Sequence, residues 1–359
     1  MFSVGIIGLP NTGKSTLFKA ITKIAVPISI YPFTTIDPNK GIVEVKDKRL
    51  DKIKEIIKPQ QTTPAMIEFV DIAGLVREAH LGKGLGNKFL SQINQVDLLL
   101  EVVRLFENEK VSHVENVIDA KRDIEIIKGE IGAWDDKIIS NFIENLKKKV
   151  RSLPLDEELR AENELAEQLK NFITEKSWPE EEIEKLPPEK QSDIINLGKK
   201  LSVLSVKPLI FVFNISEKDI TKEKKKSLKS AFPYSFFIDL KKEEEMSELN
   251  ESEKRELDVK SYLDDLILSC YNRLNLITFY TIKGGKEVRA YELKRGKDVI
   301  VAASSVHSDF QKKFIRAEVL SFKDLLESGS WQEAKKMGKI STKGRDYIVK
   351  DGDIIEFKI

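Results

Sequence analysis

The chain has 359 residues, of which 33% are charged, a formal net charge of +1 and a single cysteine, Cys270. This length predicts two or three domains, the balanced charge argues against a molecule that binds polyanions over its whole surface, and one cysteine excludes an intramolecular disulfide framework. We find no signal peptide and no apolar run of the roughly 18 residues that span a bilayer, so we expect a soluble, cytoplasmic protein without a membrane partner.

The first residues predict a site for a nucleoside triphosphate. An apolar run at 2–7 predicts a buried strand, and it is followed by GLPNTGKS, which fits G-x-x-x-x-G-K-[ST] at every fixed position. Glycines let successive backbone N–H groups point at phosphate oxygens, and the helix that begins near Thr16 adds its positive end. The predicted nucleotide contacts are Asn11, Thr12, Gly13, Lys14, Ser15 and Thr16.

Two of these side chains have chemical roles. Lys14 places a cation on the β- and γ-phosphates and would act catalytically by stabilising charge on the transferring phosphoryl group. The Ser15 hydroxyl is a hard oxygen ligand for Mg²⁺.

Two later segments predict further contacts with Mg²⁺ and the γ-phosphate. A proline-rich loop after the first helix carries Thr35, which could complete the Mg²⁺ shell. A predicted strand at 65–70 ends at Asp71, which can hold Mg²⁺ through water, while Gly74 can donate its backbone N–H to the γ-phosphate. The predicted metal contacts are therefore Ser15, Thr35 and Asp71.

Two residues bear on hydrolysis. Leu75 stands where many GTPases carry a glutamine that orients the attacking water, so hydrolysis must be slow or assisted by another group. His113 lies between a predicted strand at 97–103 and a predicted helix at 115–131. Its imidazole could assist at the phosphate, although a lone histidine is more often a surface or packing residue.

Residues 133–200 differ in composition from the segments before them. Charged and apolar residues recur at helical spacing, which predicts an α-helical, partly coiled-coil insertion. The insertion is either an arm for contact with a partner or a set of helices that pack on one another.

A predicted strand at 207–213 ends in Asn214-Ile215-Ser216-Glu217, where a guanine-specific site would carry N-K-x-D. Ile215 replaces the lysine, and Glu217 replaces the aspartate that accepts two hydrogen bonds from guanine. Adenine can still donate its amino group to a nearby oxygen, and a lost hydrogen-bond match can discriminate strongly. We therefore expect ATP to be preferred over GTP, with Asn214, Ile215 and Glu217 at the base.

The rest of the chain predicts a helix at 222–230, a strand at 234–238, a long helix at 252–273 and then a β-rich module. The predicted elements of this module are strands at 276–281, 287–291, 346–349 and 353–357 and a helix near 310–316. They suggest a ubiquitin-like β-grasp. Residues 276–359 carry 17 Lys and Arg against 12 Asp and Glu, an excess of +5 that indicates either an RNA-facing surface or a solvated module.

Segments along nearly the whole chain resemble the YchF or Obg-like ATPase family. They are GLPNTGKST, YPFTTIDPN, DIAGLV, GKGLGNKFL, residues 214–217, TFYTIKGGKEVRAY, HSDFQKKFIRAE and GRDYIVKDGD. The resemblance implies slow hydrolysis of ATP, often also of GTP, and association with ribosomes. It implies Mg²⁺ contacts for Ser15 and Thr35, adenine contacts for Asn214 and Ile215, and assistance of hydrolysis by His113.

The predicted fold class is α/β, with three parts. These are a P-loop domain at 1–132 and 201–275, a helical coiled-coil insertion at 133–200, and a C-terminal β-grasp, or TGS, domain at 276–359. The predicted function is a monomeric, ribosome-associated ATPase switch that uses Mg²⁺ and could also accept GTP. The alternatives are a GTP-specific Obg-type switch and a nucleotide-gated scaffold for RNA or the ribosome, in which hydrolysis is incidental.

Overall fold

The computed structural model describes residues 1–23, 39–72, 85–108, 110–111, 113, 117–152, 156–174, 178–216, 218, 220–249, 253 and 261–359. The described strands are β1 (Ser3–Ile7), β2 (Lys40–Glu44), β3 (Gln61–Thr63), β4 (Met66–Asp71), β5 (Leu98–Arg104), β6 (Leu209–Asn214), β7 (Ser235–Ile238), β8 (Leu276–Lys283), β9 (Glu287–Lys294), β10 (Arg316–Ser321), β11 (Ser341–Lys343) and β12 (Asp353–Lys358).

The described helices include a 33-residue helix and several short ones. They are α1 (Lys14–Lys23), α2 (Lys48–Ile57), α3 (Leu85–Asn94), α4 (Ala120–Ser152), α5 (Glu157–Thr174), α6 (Pro179–Ile183), α7 (Pro188–Leu201), α8 (Lys222–Ala231), α9 (Leu240–Met246), α10 (Leu263–Arg273), α11 (Val299–Val306), α12 (Phe310–Lys313), α13 (Phe322–Ser328) and α14 (Trp331–Lys336).

The first sheet has the strand order β2-β4-β1-β5-β6-β7. Strand β1 is parallel to both of its neighbours, β5, β6 and β7 continue in the same direction, and β2 runs antiparallel to β4. Every residue of β1, β5 and β6 is buried, as expected of parallel strands covered by helices on both faces. The sequence-based strand predictions at these three places are confirmed.

Alternation along β1 supplies a core on each face of this sheet. Ile6 packs in a cluster with Leu17 of α1 and Leu266 of α10, whereas Ile7 packs with Ile124 of α4 on the other face. Each fully buried aliphatic side chain of this kind stabilises the fold by about 1.5–3 kcal/mol. The strand that precedes the glycine loop is therefore anchored from both sides.

The helical insertion is confirmed, but its first helix begins in the preceding domain. Helix α4 runs without a break through the predicted helix end at residue 131, because its apolar spacing continues through Ile139 and Ile143. The buried Asp135 accepts hydrogen bonds at 2.8 Å from the backbone N–H groups of Leu204 and Ser205, where the chain leaves the insertion. The proposed border at residue 133 thus falls inside one continuous helix.

The second sheet has the order β11-β10-β12-β8-β9-β3. Strands β8 and β9 form an antiparallel hairpin, β12 is parallel to β8, and β10 is antiparallel to β12. Helix α11 connects β9 to β10 and buries Val299 and Ala302 against this sheet. This arrangement is a β-grasp, which confirms the predicted C-terminal fold.

Several details of the C-terminal module differ from the predictions. The predicted strand at 346–349 is wrong, since only Ile348 forms an isolated bridge, to Asp298. The backbone groups of Tyr347 and Val349 instead bond residues at and before the start of α11, and the place beside β12 is taken by β10. The helix predicted near 310–316 ends at Lys313, and α11, α13 and α14 were not predicted.

Residues 48–63 lie in sequence between β2 and β4 of the first sheet but pack against the second sheet. Helix α2 packs Leu50 and Ile53 into a cluster with Tyr280 and Val288, and β3 pairs in parallel with β9. The predicted bounds assign this segment to the P-loop domain, so the domain bounds remain a prediction.

Two further sequence-based expectations concern α10 and the membrane. Helix α10 accounts for the end of the helix predicted at 252–273, most of whose first part lies outside the described residues. It buries Cys270 completely, and this burial raises the pKa of the thiol. Within the described ranges, no helix is both long and apolar enough to cross a membrane.

Candidate nucleotide-binding site

The loop between β1 and α1 has the backbone conformation that its glycines permit. Gly13 has φ +105° and Asn11 has φ +63°, both in the left-handed region. A Cβ atom on Gly13 would lie 2.4 Å from Nδ2 of Asn214, so the loop and β6 approach too closely for any side chain there. The first glycine, Gly8, is confined in the same way. It has φ +151°, and a Cβ atom there would lie only 2.5 Å from the carbonyl oxygen of Val102.

Lys14 is buried at the start of α1. Its Nζ donates to the carbonyl oxygen of Leu9 at 2.8 Å, and Oγ1 of Thr12 donates to the same oxygen at 3.1 Å. Burial lowers the pKa of Lys14 below its usual 10.5, and the negative charge of Asp71 offsets part of this effect. A buried ammonium with a lowered pKa is well placed to gain from a second anion, such as a phosphate.

Ser15 and Asp71 form the second polar contact of the loop. Oγ of Ser15 donates to Oδ2 of Asp71 at 2.9 Å, which joins the first turn of α1 to the last residue of β4. A hydroxyl and a carboxylate at this separation are the oxygen ligands that Mg²⁺ prefers, so the two residues fit this ion. No group of three or more His, Cys, Asp or Glu side chains in the described part of the chain could hold a metal.

A cleft of about 560 Å³ lies over this loop, within the size range of small-molecule sites. It is lined by Asn11, Gly13, Lys14, Ser15, Thr16, Phe106, Glu107, Asn108, Val111, Asn214, Ile215, Ser216, Asp239, Lys241 and Glu244. The cleft therefore has a phosphate end, formed by the glycine loop and α1, and a second end formed by the segments that follow β5, β6 and β7. We call the second end the base end.

Asn214 joins the two ends of the cleft. It is buried, its Nδ2 donates to the carbonyl oxygen of Thr12 at 2.9 Å, and its Oδ1 accepts from the N–H of Leu240 at 3.3 Å. The next residue, Ile215, is also buried and is an apolar residue that lines the base end.

A short loop after β5 forms one side of the base end. We call residues 105–108 and 110–111 the wall loop. Arg104, the last residue of β5, is only 2% exposed and donates to the carbonyl oxygens of Phe106, Asn108 and Val111 at 3.1, 3.2 and 3.0 Å. Its guanidinium carbon also lies 4.5 Å from the centre of the Phe106 ring.

His113 follows the wall loop and is held by α4. Its Nε2 lies 2.9 Å from Oδ2 of Asp123, and the two side chains are 5% and 3% exposed. Among the described residues, His113 is not one of those that line the cleft.

The structure brings together most of the predicted site residues. Asn11, Gly13, Lys14, Ser15, Thr16, Asn214 and Ile215 line one cleft. Thr12 turns its side chain inward to Leu9, and Asp71 contacts Ser15. Thr35, Gly74, Leu75 and Glu217 lie outside the described residues.

The remaining residues that line the cleft were not predicted from the sequence. These lining residues are Phe106, Glu107, Asn108, Val111, Ser216, Asp239, Lys241 and Glu244, and Arg104, which bonds the wall loop, was not predicted either. Their one shared signal is position, because each lies at or shortly after the carboxyl end of β5, β6 or β7, where ligands of parallel sheets bind.

A glycine loop after an inner strand of a mostly parallel sheet, with a lysine and a serine at the start of the next helix, defines a P-loop nucleoside-triphosphatase fold. Residues 3–139 match a family model described as a 50S ribosome-binding GTPase. Residues 276–359 match the C-terminal family model of YchF GTPases, which is described as a protein of unknown function.

Full-length relatives agree with these matches. The chain is 41% identical to the ribosome-binding ATPase YchF of Mycoplasma genitalium, over 100% of this chain and 99% of the relative. It is 37% identical to Obg-like ATPase 1 of Gallus gallus, over 99% and 91%. The solved structure of the Schizosaccharomyces pombe YchF GTPase is similar with a TM-score of 0.85 and 32% identity, over 99% and 97%. The chain belongs to the YchF/Obg-like ATPase family.

Proposed function

We propose that this chain is an ATPase that binds ATP with Mg²⁺, hydrolyses it slowly and acts as a nucleotide-dependent switch on the ribosome. The observation that carries the proposal is the cleft itself. Lys14, Ser15 and Asn11 line the end that suits phosphates, while Asn214 and Ile215 line the end that suits a base.

The phosphate end supplies the chemistry. The curled backbone from Asn11 to Ser15 would bind phosphate oxygens, and Lys14 would stabilise negative charge on the transferring group. Ser15 and Asp71 would hold Mg²⁺, with Thr35 as a further contact. The bound ion would neutralise charge on the phosphates. Gly74 would contribute its backbone N–H to the γ-phosphate.

The base end supports a preference for ATP. Ile215 offers a buried apolar side chain where guanine-specific sites carry lysine, and Glu217 stands in place of their aspartate. Loss of the acceptor that matches the two donors of guanine should weaken the binding of GTP more than the binding of ATP. We propose GTP as a second, weaker substrate.

The ribosome is the proposed partner because relatives that align over the whole chain are named ribosome-binding ATPases. The +5 charge of residues 276–359 would favour contact with ribosomal RNA. We propose a cytoplasmic monomer as the working form.

A second candidate is a scaffold whose ribosome binding depends on nucleotide and whose hydrolysis is incidental. It is favoured by Leu75, which cannot orient water, and by His113, whose Nε2 is beside Asp123 in this structure. A role for His113 in hydrolysis requires its imidazole to reach the cleft, which His113 does not line among the described residues.

Single-turnover hydrolysis of labelled ATP, with and without ribosomes, tests the proposal. We expect ribosomes to accelerate hydrolysis, and Lys14→Ala to weaken ATP binding on the order of 100-fold, because several charge-assisted bonds to phosphate are lost together. Lys23→Ala, at the other end of α1, where Lys23 bonds Glu248 at 2.6 Å, is the matched control and should bind normally. Nucleotide-dependent ribosome binding without acceleration would favour the scaffold, and unchanged ATP binding by Lys14→Ala would overturn both candidates.

A further inference from the structure

Arg104 occupies an unusual place for an arginine. It ends the buried strand β5, it pairs in register with Asn214 on the neighbouring strand β6, and 2% of its surface is exposed. A charged side chain is rarely buried this completely unless its donors are satisfied by the protein.

The donors of Arg104 converge on the wall loop. Nε donates to the carbonyl oxygen of Phe106, one terminal nitrogen donates to Val111 and the other to Asn108. Only a guanidinium presents donors as a rigid planar fork that can reach three separate carbonyl groups at once. Its contact with the Phe106 ring fixes one side chain of the loop as well as the backbone.

This arrangement decides what the wall loop presents to the cleft. Three of its carbonyl groups are bonded to the buried Arg104, and the same residues, Phe106, Asn108 and Val111, line the cleft with Ile215. The start of the loop is tied to β6 by the bond from the N–H of Leu105 to the carbonyl oxygen of Asn214, at 2.8 Å. One buried side chain thus connects the base end of the cleft to the central sheet.

We propose that Arg104 is a positioning residue of the nucleotide site, which holds the wall loop in the conformation that binds the nucleoside part of the nucleotide. It acts through Phe106, Asn108 and Val111. The inference rests on the proposed nucleotide binding and adds a determinant that the P-loop motif does not contain.

Binding of two ligands separates this role from a general structural one. ATP uses both ends of the cleft, whereas inorganic tripolyphosphate uses only the phosphate end. We expect Arg104→Ala to lower the affinity for ATP by at least roughly tenfold, because contacts that are out of position contribute little binding energy. The affinity for tripolyphosphate should change by less than about twofold. Arg104→Lys keeps the charge but not the fork, so it should give an intermediate loss of ATP binding.

Arg273→Lys is the matched control for burial of an arginine. Arg273 is 10% exposed and forms an ion pair with Glu180 at 2.6 Å. Both residues line a cavity with Asp97, which precedes β5, so Arg273 lies near the amino ends of the strands and away from the cleft. The variant Arg273→Lys should lower the melting temperature without changing the affinity for ATP or tripolyphosphate. Calorimetric titration of the folded variants, checked by thermal melting, gives all of these values.

The outcomes are distinct for each proposal. Equal weakening of ATP and tripolyphosphate by the Arg104 variants, or no weakening of either, would overturn the positioning role. If Arg104→Ala does not fold, Arg104→Lys decides by the same ratio. Failure of the unmodified chain to bind ATP would instead overturn the proposed function.

Discussion

The two ends of the cleft are built in different ways. The phosphate end comes from nine consecutive residues, Gly8 to Thr16, and one distant carboxylate, Asp71. The base end comes from the wall loop, residues 214–216 and residues 239–244, which meet only because β5, β6 and β7 are neighbours in the sheet. We therefore expect phosphate binding to depend mainly on a local motif, and selection of the base to depend on tertiary structure.

Gly13 lies where the two ends touch, so Gly13→Ala should have the largest effect among changes outside the charged groups. The new methyl group would meet Nδ2 of Asn214, the atom that donates to Thr12, and the residue would keep an unfavourable φ of +105°. We expect a loss of about 1–3 kcal/mol in the free energy of unfolding and roughly tenfold or more in ATP affinity. Denaturant unfolding and calorimetric titration measure the two effects.

Gly296→Ala separates backbone strain from the collision. Gly296 has φ +82°, and a Cβ there would meet open space. This variant should lose about 1 kcal/mol through conformation alone and bind ATP normally. If Gly13→Ala behaved in the same way, the two ends of the cleft would not depend on one another at this point.

Selection of the base can be tested without altering the phosphate end. The double variant Ile215→Lys and Glu217→Asp restores N-K-x-D, so the ratio of GTP affinity to ATP affinity should rise by roughly tenfold, because the aspartate matches both guanine donors. Tripolyphosphate should bind as before. Ile215→Met keeps an apolar side chain of similar volume and should leave the ratio unchanged. An unchanged ratio in the double variant would show that base selection resides elsewhere, for instance in the wall loop.

The same contrast explains what could be predicted from sequence. The strands at 2–7 and 207–213 are largely apolar runs, and GLPNTGKS requires its residues at fixed spacing, so both patterns were recognisable, and the two strands are confirmed. Arg104 was not recognisable, since its partners are backbone carbonyl groups, which every residue carries. The placement of β3 beside β9 was equally hidden, because pairing between distant segments leaves no local pattern.

Contacts with His113 show the same limit. Its Nε2 partner, Asp123, is ten residues away in sequence and on another element, and nothing in the spacing distinguishes that aspartate from Asp119 in the same stretch. Motifs predict groups that a ligand requires, whereas the groups that position them are chosen by packing.

The last expected effect is a difference in the pH dependence of ligand binding between the two ends. Burial lowers the pKa of Lys14, and a bound polyphosphate would raise it again, so binding favours the protonated ammonium. The affinity for tripolyphosphate should therefore be at its maximum below the pKa of Lys14 in the free protein. It should fall as the pH rises through this pKa, by at most about tenfold per pH unit, because one proton is involved. We expect adenosine to use only the base end and therefore to bind with constant affinity from pH 8 upward.

Lys14→Arg isolates this effect from that of Lys241, which also lines the cleft. Arginine stays protonated throughout the range, so the variant should bind tripolyphosphate more weakly but with a nearly flat profile between about pH 8 and 10. A variant profile as steep as that of the unmodified chain would assign the proton to another group. The phosphate end would then no longer depend on the charge of one buried lysine, and the contrast with the base end would have to rest on geometry alone.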